Sequence, residues 1–452
     1  MNQPPMMTVS GIRGIVGESL TPELMAYIAY LQTKLFNGGA MVVARDTRPS
    51  GASLAQAVCK GIHAAGGECI DIGIAPTPTA CVAVAHLRAA GGIIITASHN
   101  PTPYNGYKMI HASGRLCSGP ECEKVYGAFR CQADKIAART KTAAASSEPD
   151  RRVDAAAAHL ERILAAVDVD CIRNAALSIA VDATNGAAAA VFPQLLQSLG
   201  VTWKGICTEL TGNFTHNPEP RPEHLHELSG LLRAGSSYSG GFAFDPDGDR
   251  LVTMGEHGEP VSEELTLAFA LQNVLAREKS DVATNLSTSM VIDDVARTFG
   301  TKVHRTRIGE ANVVEGMRAF GCKIGGEGNG GVIYPKISTV RDGLTGIALI
   351  LELMARSGKT ITQLAAQIPF YCMMKEKISI SGVDPGTMLN RLATAFSQET
   401  IDRQDGLKII KADSWVHIRA SNTEPILRCI AEARTEQQAR TLIELVMKTA
   451  GA

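Results

Sequence analysis

Residues 40–51 read A-M-V-V-A-R-D-T-R-P-S-G, a short apolar run that ends in a polar, turn-forming loop. A helical pattern precedes this stretch, with Thr21 at an N-cap position and Pro22 in the first turn. A second helical pattern follows it and places three apolar residues on one face, namely Leu54, Val58 and Ile62. A strand, a loop and a helix in this order predict a mainly parallel sheet that binds ligands at the C-terminal ends of its strands.

The same pattern recurs twice along the chain. Apolar runs leading into polar loops lie at residues 177–186 and 281–287. In all three units a Gly-rich approach then leads to a second polar loop, at residues 91–101, 239–250 and 321–331. We infer three similar α/β units related by weak internal repetition, each presenting one loop.

Two changes of composition suggest domain boundaries. Residues 131–152 are rich in Ala, Ser and charge, which favours a boundary near residue 150. Beyond about residue 370 the pattern changes, because W-V-H-I-R at residues 415–419 alternates with period two. The chain is therefore expected to form three α/β domains with mixed sheets and a smaller C-terminal α+β domain. Their predicted ranges are 1–150, 151–252, 253–368 and 369–452.

The composition excludes several classes of protein. The 452 residues carry 44 Lys plus Arg and 45 Asp plus Glu, so the net charge of -1 gives no electrostatic argument for binding nucleic acid or an anionic membrane. No stretch of 18 apolar residues occurs, and the first residues resemble no signal peptide. We expect a soluble, cytoplasmic protein that binds neither nucleic acid nor membrane.

The eleven cysteines include no C-x-x-C pair, and no histidine cluster has zinc-ligand spacing. An odd number spread through a long chain indicates reduced, mostly buried thiols.

The loop T-A-S-H-N-P at residues 96–101 holds a candidate nucleophile, Ser98. Pro101 prevents a helix from continuing, so the serine is expected at a strand end within reach of a substrate. Ser98 followed by His99 suggests a hydrolase, but a histidine directly after the serine cannot readily turn back to act as its base. A hydrogen-bonded turn is the alternative interpretation.

The loop D-P-D-G-D-R at residues 245–250 holds candidate metal ligands. Asp245, Asp247 and Asp249 can converge on one hard cation such as Mg²⁺, because Gly248 lets the chain bend between them. Arg250 adds a bidentate phosphate donor beside the cation. A solvated acidic turn is the alternative.

Two further loops fit ligand binding more weakly. G-G-E-G-N-G-G at residues 325–331 offers a bare backbone with Glu327 and Asn329, which suits sugar hydroxyls or a structural turn. R-A-S-N-T-E-P at residues 419–425 lies at a strand-strand turn and supplies the parts of a phosphate clamp or of a polar hairpin. Basic residues near the other loops suggest a pocket for a doubly phosphorylated anion, and these are Arg13, Arg45, Arg48, Lys108 and Arg307.

The four loops in this order resemble the α-D-phosphohexomutase superfamily. The matching motifs are S-G-I-R-G, T-A-S-H-N-P, N-G-Y-K, D-P-D-G-D-R, G-E-G-N-G-G and R-A-S-N-T-E-P, which together span about residues 10 to 430. The resemblance implies three similar α/β domains and a smaller fourth domain around one central cleft. It also implies an isomerase that interconverts hexose 6-phosphates and hexose 1-phosphates through a sugar bisphosphate.

The resemblance assigns roles to individual residues. Ser98 is implied as the phosphoserine, which shares one Mg²⁺ per active site with Asp245, Asp247 and Asp249. The candidate catalytic residues are thus Ser98, Lys108, Arg13 and His99. The candidate substrate-binding residues are Arg250, Arg307, Glu327, Asn329, Arg419, Ser421, Asn422 and Thr423. A hexose 1,6-bisphosphate is the expected activator, and small hexose phosphates are the expected partners of a monomer or homodimer.

One position departs from the family pattern. Many members have Ser and His where this chain has Asn329 and Gly331, so the route of the reaction proton stays open, with Lys108 as the candidate. The Gly-Glu-Gly-Asn-Gly-Gly loop, with R-T-R-I-G-E-A-N-V at residues 305–313, looks most like the archaeal-type phosphoglucosamine mutase branch. Glucosamine phosphate is the first expectation, and mannose or glucose phosphate the second. A serine-phosphate phosphatase and an inactive sugar-phosphate-binding homologue are the remaining alternatives.

Overall fold

The computed structural model describes residues 5–131, 135–235, 237–379, 384–420 and 426–450. They form four structural units in chain order, each built on its own sheet. Within these ranges no helix combines the length and the apolar character that a membrane crossing requires.

The first unit contains a seven-stranded sheet of order β1-β2-β6-β5-β3-β4-β7. Its elements are β1 (Met6–Thr8), β2 (Gly11–Ile15), α1 (Pro22–Leu35), β3 (Ala40–Arg45), α2 (Gly51–Ala64), β4 (Glu68–Ile74), α3 (Thr77–His86), β5 (Gly91–Ile95), β6 (Tyr104–His111), α4 (Gly119–Cys131), α5 (Lys135–Ala144) and β7 (Arg151–Arg152). The Oγ1 of Thr21 accepts a hydrogen bond from the backbone N–H of Leu24, which confirms the predicted N-cap.

The second unit contains a four-stranded sheet of order β11-β10-β8-β9. Its elements are α6 (Ala156–Leu164), α7 (Val169–Asn174), β8 (Ser178–Asp182), α8 (Phe192–Leu199), β9 (Thr202–Ile206), α9 (His226–Ala234), β10 (Gly240–Phe244) and β11 (Leu251–Met254), with short 3-10 turns at Ala187–Ala190 and Pro222–His224.

The third unit contains a four-stranded sheet of order β13-β12-β14-β15. Its elements are α10 (Glu264–Arg277), β12 (Val282–Asn285), α11 (Val291–Thr298), β13 (Val303–Thr306), α12 (Glu310–Phe320), β14 (Ile324–Glu327), β15 (Gly331–Ile333), α13 (Gly343–Ser357) and α14 (Ile361–Ala365).

The fourth unit is an antiparallel five-stranded sheet of order β16-β20-β19-β18-β17 with two helices. Its elements are β16 (Cys372–Ser379), α15 (Pro385–Ala395), β17 (Thr400–Asp402), β18 (Leu407–Ile410), β19 (Trp415–Ala420), β20 (Ile426–Ala433) and α16 (Glu436–Ala450). The predicted strand at residues 415–419 and the predicted α+β class are both confirmed.

The first three units share one four-strand core. In each, the first strand of this core (β3, β8 or β12) lies between two parallel neighbours, and its fourth strand (β6, β11 or β15) runs antiparallel beside its third (β5, β10 or β14). The connection from the third to the fourth strand is the serine loop in the first unit, the aspartate loop in the second and the Gly-Glu loop in the third. The inferred internal repetition is therefore confirmed at the level of strand order.

The cores do not follow the sequence divisions everywhere. One buried apolar cluster continues through the second and third units and includes Phe244, Leu267 and Leu349. The fourth unit has a separate core under α16. The predicted boundaries near 150, 252 and 368 stay predictions, and Arg151–Arg152 pairs with β4 of the first sheet.

Candidate active site

Ser98 lies in the loop between β5 and β6, and its backbone has φ +50°, a left-handed conformation that is uncommon for a residue with a side chain. The N–H of Ser98 donates to Oγ1 of Thr96 at 2.9 Å, and Thr96 donates in turn to Asp46 at 2.6 Å. This network fixes the loop in its strained turn. Such strain persists only where the surroundings enforce it, and it concentrates at functional sites.

Arg48 lies behind the serine loop. It is fully buried and donates to the carbonyl oxygens of Ser98 (2.7 Å), Asn100 (2.6 Å), Pro101 (2.7 Å) and Tyr104 (3.0 Å). The expectation that Arg48 faces a ligand is wrong, because all its hydrogen bonds go inward to this loop and to Asp46. Arg45 lines a separate surface pocket beside Cys59 and Cys69.

Ser98 is also less accessible than its sequence suggests, since it is 1% exposed. Two contacts account for this burial. Arg48 holds the carbonyl of Ser98 from behind, and Asp245 of the aspartate loop contacts its hydroxyl. The Oγ of Ser98 donates to Oδ2 of Asp245 at 3.2 Å, which joins the first and second units.

The three aspartates converge as their spacing predicts. Their carboxylates are fully buried, and one oxygen from each lies within 4.8 Å of the others. Gly248 takes φ +66° at the bend, where a side chain would be strained.

The aspartate cluster keeps carboxylate oxygens that no hydrogen bond satisfies. One oxygen each of Asp247 and Asp249 is buried without a hydrogen-bond partner. Burial raises the pKa of Asp245 well above its ordinary value, and the charges of Asp249 and Asp247 raise it further. Orphaned buried carboxylate oxygens of this kind fit a hard divalent cation.

Lys108 is the cation closest to the aspartates. Its Nζ donates to Oδ2 of Asp247 at 2.5 Å and to Oδ2 of Asp249 at 3.2 Å. Burial lowers the pKa of Lys108, but Asp247 and Asp249 outweigh that effect and raise it. Lys108 is therefore positively charged in this arrangement.

Two arginines flank the same loops. Arg13 donates to Oδ1 of Asn100 at 2.8 Å, and the Nε of Arg250 lies 3.8 Å from Asp249. His99 is neutral, since burial lowers its pKa to about 2 and the charges of Arg250 and Arg13 add to the effect. Its Nδ1 lies 3.4 Å from Oγ of Ser98, too far for a strong hydrogen bond.

The Gly-Glu loop is shorter than its sequence suggests. Gly326 and Glu327 belong to β14, and Gly331 begins β15, so the expectation of a bare loop across 325–331 is corrected to Gly328–Gly330. A side chain at Gly326 would collide with the carbonyl of Gly331 on the paired strand. The glycines there permit close strand pairing rather than a free backbone surface.

Arg341 connects the aspartate loop to the Gly-Glu loop, and our sequence analysis missed it. It donates to Asp249 at 2.7 Å and to Glu327 at 2.8 Å, and its Nε lies 3.2 Å from Glu310. A single arginine in V-R-D-G carries no motif, so only the contact between loops reveals its position.

The fourth predicted loop is described in part. Arg419 points its Nε at Oδ1 of Asp405 at 2.9 Å, and Oδ2 of Asp405 accepts from the N–H of Ile308. Ser421, Asn422 and Thr423 lie outside the described residues, and their predicted roles stay predictions.

A cleft of about 840 Å³ brings these groups together. Its lining includes predicted residues from every unit, namely Arg13, Lys108, Arg250, Arg307, Glu327, Asn329 and Arg419. It also includes residues that the sequence did not single out, among them Glu264, Arg341, Asp405, His417 and Arg428. Ser98 and the three aspartates do not belong to this lining, but Lys108 and Arg250, which do, contact Asp247 and Asp249.

Glu264 has an unusual environment in this cleft. It begins α10, packs against Gly328 and accepts a hydrogen bond from the N–H of Ser289 at 2.9 Å. Burial raises the pKa of Glu264 to about 8 despite that hydrogen bond.

A buried serine hydroxyl bonded to one carboxylate of an aspartate triad, beside a cleft lined by arginines and a lysine, has the groups that a phosphoryl-transfer site needs. The chain matches the families described as "Phosphoglucomutase/phosphomannomutase, alpha/beta/alpha domain I" over residues 6–134, domain II over 157–258, domain III over 263–371 and "C-terminal domain" over 375–449. It belongs to the phosphoglucomutase/phosphomannomutase family within the α-D-phosphohexomutase superfamily, and it is an isomerase.

Individual relatives span the whole chain. It is 36% identical to "Phosphoglucomutase/phosphomannomutase" of Thermococcus kodakarensis, with 97% of this chain and 96% of that one covered. It is also 36% identical to "Probable phosphoglucosamine mutase" of Methanopyrus kandleri, with coverage of 96% and 95%. The crystal structure of a phosphoglucomutase/phosphomannomutase family protein from Burkholderia thailandensis shares 26% identity and a TM-score of 0.84, and covers 99% of this chain and 98% of that one.

Proposed function

We propose that this phosphohexomutase interconverts glucosamine 6-phosphate and glucosamine 1-phosphate through a phosphoserine at Ser98. The contact of the Ser98 Oγ with Asp245 carries the proposal, because it holds a hydroxyl from one unit against the carboxylates of another. The T-A-S-H-N-P and D-P-D-G-D-R loops that make this contact are the most distinctive sequences of the chain.

One Mg²⁺ per active site is proposed at Ser98, Asp245, Asp247 and Asp249. The unpartnered oxygens of Asp247 and Asp249 support this ligand set. When bound, the ion supplies positive charge to the phosphoryl oxygens.

The chain's own residues are proposed to position and neutralise the phosphoryl group. Arg13, Lys108 and Arg250 line the cleft beside the serine loop, where they can bind the equatorial oxygens during transfer. The bond from phosphorus to Oγ of Ser98 breaks as a bond forms to the free sugar hydroxyl, which loses its proton. The result is a hexose 1,6-bisphosphate, and transfer of its other phosphate back to Ser98 completes the isomerisation.

Lys108 is proposed as the group that handles the proton. Asp247 and Asp249 keep Lys108 charged. It is proposed to give a proton to the Oγ of Ser98 as the phosphoryl group leaves and to take up the proton that the sugar hydroxyl loses, so that it ends the step charged again. The neutral His99 is proposed to orient the serine loop rather than to act as the base.

The other end of the cleft is proposed to hold the phosphate that does not react. Arg307 and Arg419 line the cleft and are proposed to bind that phosphate, with Ser421, Asn422 and Thr423 proposed to complete the clamp. Glu327 and Asn329 also line the cleft and are proposed to bind sugar hydroxyls. An unpartnered buried Oδ1 on Asn329 supports this role, because a ligand hydroxyl can satisfy it.

The choice of sugar rests on the relatives and on the loop sequence. The Methanopyrus relative carries the glucosamine name, and the Gly-Glu-Gly-Asn-Gly-Gly loop favours the same branch. The equally similar Thermococcus relative supports a phosphomannomutase/phosphoglucomutase as the second candidate. We further propose a cytoplasmic monomer or homodimer with hexose phosphates as its partners.

Intact-mass analysis followed by a substrate panel tests the proposal. The purified enzyme is assayed with the 1-phosphates and 6-phosphates of glucosamine, glucose and mannose, with a hexose 1,6-bisphosphate as activator. We expect a phosphate adduct on Ser98 and the highest kcat/KM with glucosamine phosphates. A preference for mannose or glucose phosphates selects the second candidate, and steady release of inorganic phosphate contradicts both.

A further inference from the structure

A second cluster of metal-ligating side chains lies in the second unit. Among the described residues, two groups of His, Cys, Asp or Glu bring ligand atoms within 4.8 Å of one another. One is the aspartate triad, and the other consists of Asp182, Cys207 and His216. Asp182 ends β8, Cys207 directly follows β9, and His216 lies in the loop beyond it.

His216 is oriented as metal-binding histidines commonly are. Its Nδ1 donates to the carbonyl of Asn217 at 2.9 Å, which leaves Nε2 directed at Oδ2 of Asp182, 3.0 Å away. The backbone acceptor keeps Nδ1 protonated, and Nε2 also carries a proton that it donates to Asp182, so a cation binds at Nε2 by displacing that proton.

Cys207 completes the group from a strained backbone. Its φ is +48°, a conformation that non-glycine residues rarely adopt, and its carbonyl accepts from the N–H of Asn185 at 2.6 Å. Its Sγ lies 3.2 Å from Oγ1 of Thr215.

The cluster can be reached from solvent. Asp182 is fully buried, whereas the His216 side chain is 13% exposed and Cys207 is half-buried. The other cysteines that are not buried, Cys131, Cys171 and Cys372, belong to no such group among the described residues.

We propose that Asp182, Cys207 and His216 bind a borderline-soft divalent cation such as Zn²⁺, at a site separate from the hard-cation site of the aspartate triad. A thiolate and an imidazole select Zn²⁺ over Mg²⁺, which prefers oxygen ligands. Three protein ligands leave the fourth tetrahedral position to water or to Thr215. Binding releases the thiol proton of Cys207 and the proton between His216 and Asp182 to solvent.

The position of the cluster links it to the serine loop. Phe214, between Cys207 and His216, places its ring 5.0 Å from the guanidinium of Arg48. Oγ1 of Thr47 donates to the carbonyl of Asn185 at 2.7 Å, and this contact also joins the first and second units. A cation bound at the cluster therefore fixes the segment that carries Phe214, which packs on Arg48 behind the serine loop.

Metal binding to the full chain tests the site. Metal-free protein is dialysed against Zn²⁺ in a large excess of Mg²⁺, which keeps Zn²⁺ from the aspartate triad, and bound zinc is measured by elemental analysis. We expect one zinc per chain, and an affinity that falls about 100-fold or more in Cys207→Ser and in His216→Gln. The matched control Cys171→Ser, which alters another half-buried thiol of the second unit, should bind as the unmodified chain does.

Cobalt provides a second readout that needs no variant. Co²⁺ bound to the unmodified chain should show a thiolate-to-metal charge-transfer band and the visible absorption of tetrahedral coordination. The proposal is overturned if the unmodified chain binds no stoichiometric zinc, if Cys207→Ser binds it equally well, or if the cobalt spectrum lacks the thiolate band. None of these outcomes depends on mutase activity.

Discussion

Arg48 donates a 2.7 Å hydrogen bond to the main-chain carbonyl of Ser98, which lies 50 residues further along the chain. Two more carbonyls of the same loop and that of Tyr104, which begins β6, accept from its guanidinium. The position of the proposed nucleophile is therefore determined by a fully buried arginine that does not line the cleft.

Arg48→Lys should loosen the serine loop, because an ammonium group has three donors and cannot replace the planar guanidinium that bonds to four carbonyls at once. We expect the free energy of unfolding to fall by about 3 kcal/mol and kcat to fall by about 10- to 100-fold with a smaller change in KM. Urea denaturation and steady-state kinetics measure both. Arg45→Lys, three residues away and outside the loop's hydrogen bonds, is the control, and equal losses in both variants contradict the positioning role.

Ser98→Ala should abolish the phosphate adduct and lower kcat by more than about a thousandfold, because it removes the acceptor oxygen of the covalent step. Substrate affinity should change little, since Ser98 lies behind the cleft lining. Intact mass and calorimetric titration with a hexose 6-phosphate test the two halves. Ser53→Ala, at an exposed position of α2, is the control, and a normal rate in Ser98→Ala rules out the covalent mechanism.

Asp245→Asn should reduce the stabilisation by Mg²⁺ without lowering the stability of the metal-free chain. Its ionised form is disfavoured by burial and by Asp249 and Asp247, so an amide should not lower the melting temperature in a chelator. Saturating Mg²⁺ should stabilise the unmodified chain by about 2.7 kcal/mol at a hundredfold excess over Kd, and the variant far less. Differential scanning calorimetry measures the difference, with exposed Asp170→Asn as the control. Equal stabilisation of both variants by Mg²⁺ contradicts the ligand assignment.

Arg419→Ala should raise KM about 10- to 100-fold, the scale of one lost charged hydrogen bond to phosphate, and should affect kcat less. Steady-state kinetics over a range of substrate concentrations provides the measurement. Arg403→Ala removes an exposed arginine of the same unit that bonds to Asn390 and serves as the control. An unchanged KM in Arg419→Ala removes this residue from the phosphate clamp.

Glu264 should make the folded chain less stable at alkaline pH. Its folded pKa of about 8 lies above its ordinary value of 4.5, so its contribution is fully present below pH 4.5 and is lost as the pH rises through 8. Between pH 5 and 8, the free energy of unfolding should fall by about 3 kcal/mol less in Glu264→Gln than in the unmodified chain. Urea denaturation at both pH values measures this decline. Exposed Glu161→Gln should leave it unchanged, and a parallel decline in Glu264→Gln contradicts the raised pKa.

The sequence predicted the repeated units well, because periodicity and turn residues act over a few neighbouring positions. Thr21, the strand at 40–45 and the aspartates of D-P-D-G-D-R all lie where local rules place them. The same rules placed Glu327 on an open loop, although it belongs to a buried strand whose glycines serve strand pairing.

Contacts between distant segments were beyond the reach of the sequence. Arg48 and Arg341 both carry the guanidinium group that commonly binds anions. Arg48 instead donates to the serine loop and Asp46 and packs on Phe214 of the second unit, and Arg341 joins Asp249 to Glu327. Asp405 restrains Arg419 from a position that carries no motif. The partner of a long charged side chain depends on tertiary packing, which no spacing rule encodes.

The hairpin that links the third and fourth strands has the same place in each of the three repeated sheets, yet it carries a nucleophile in one, acids in the next and a glycine-rich turn in the last. Because each hairpin lies outside the three parallel strands, its residues can be exchanged without changing those strands. The three sheets are thus a repeated scaffold whose hairpins vary independently. A change of sequence in one hairpin can therefore alter sugar specificity while the other two hairpins stay the same.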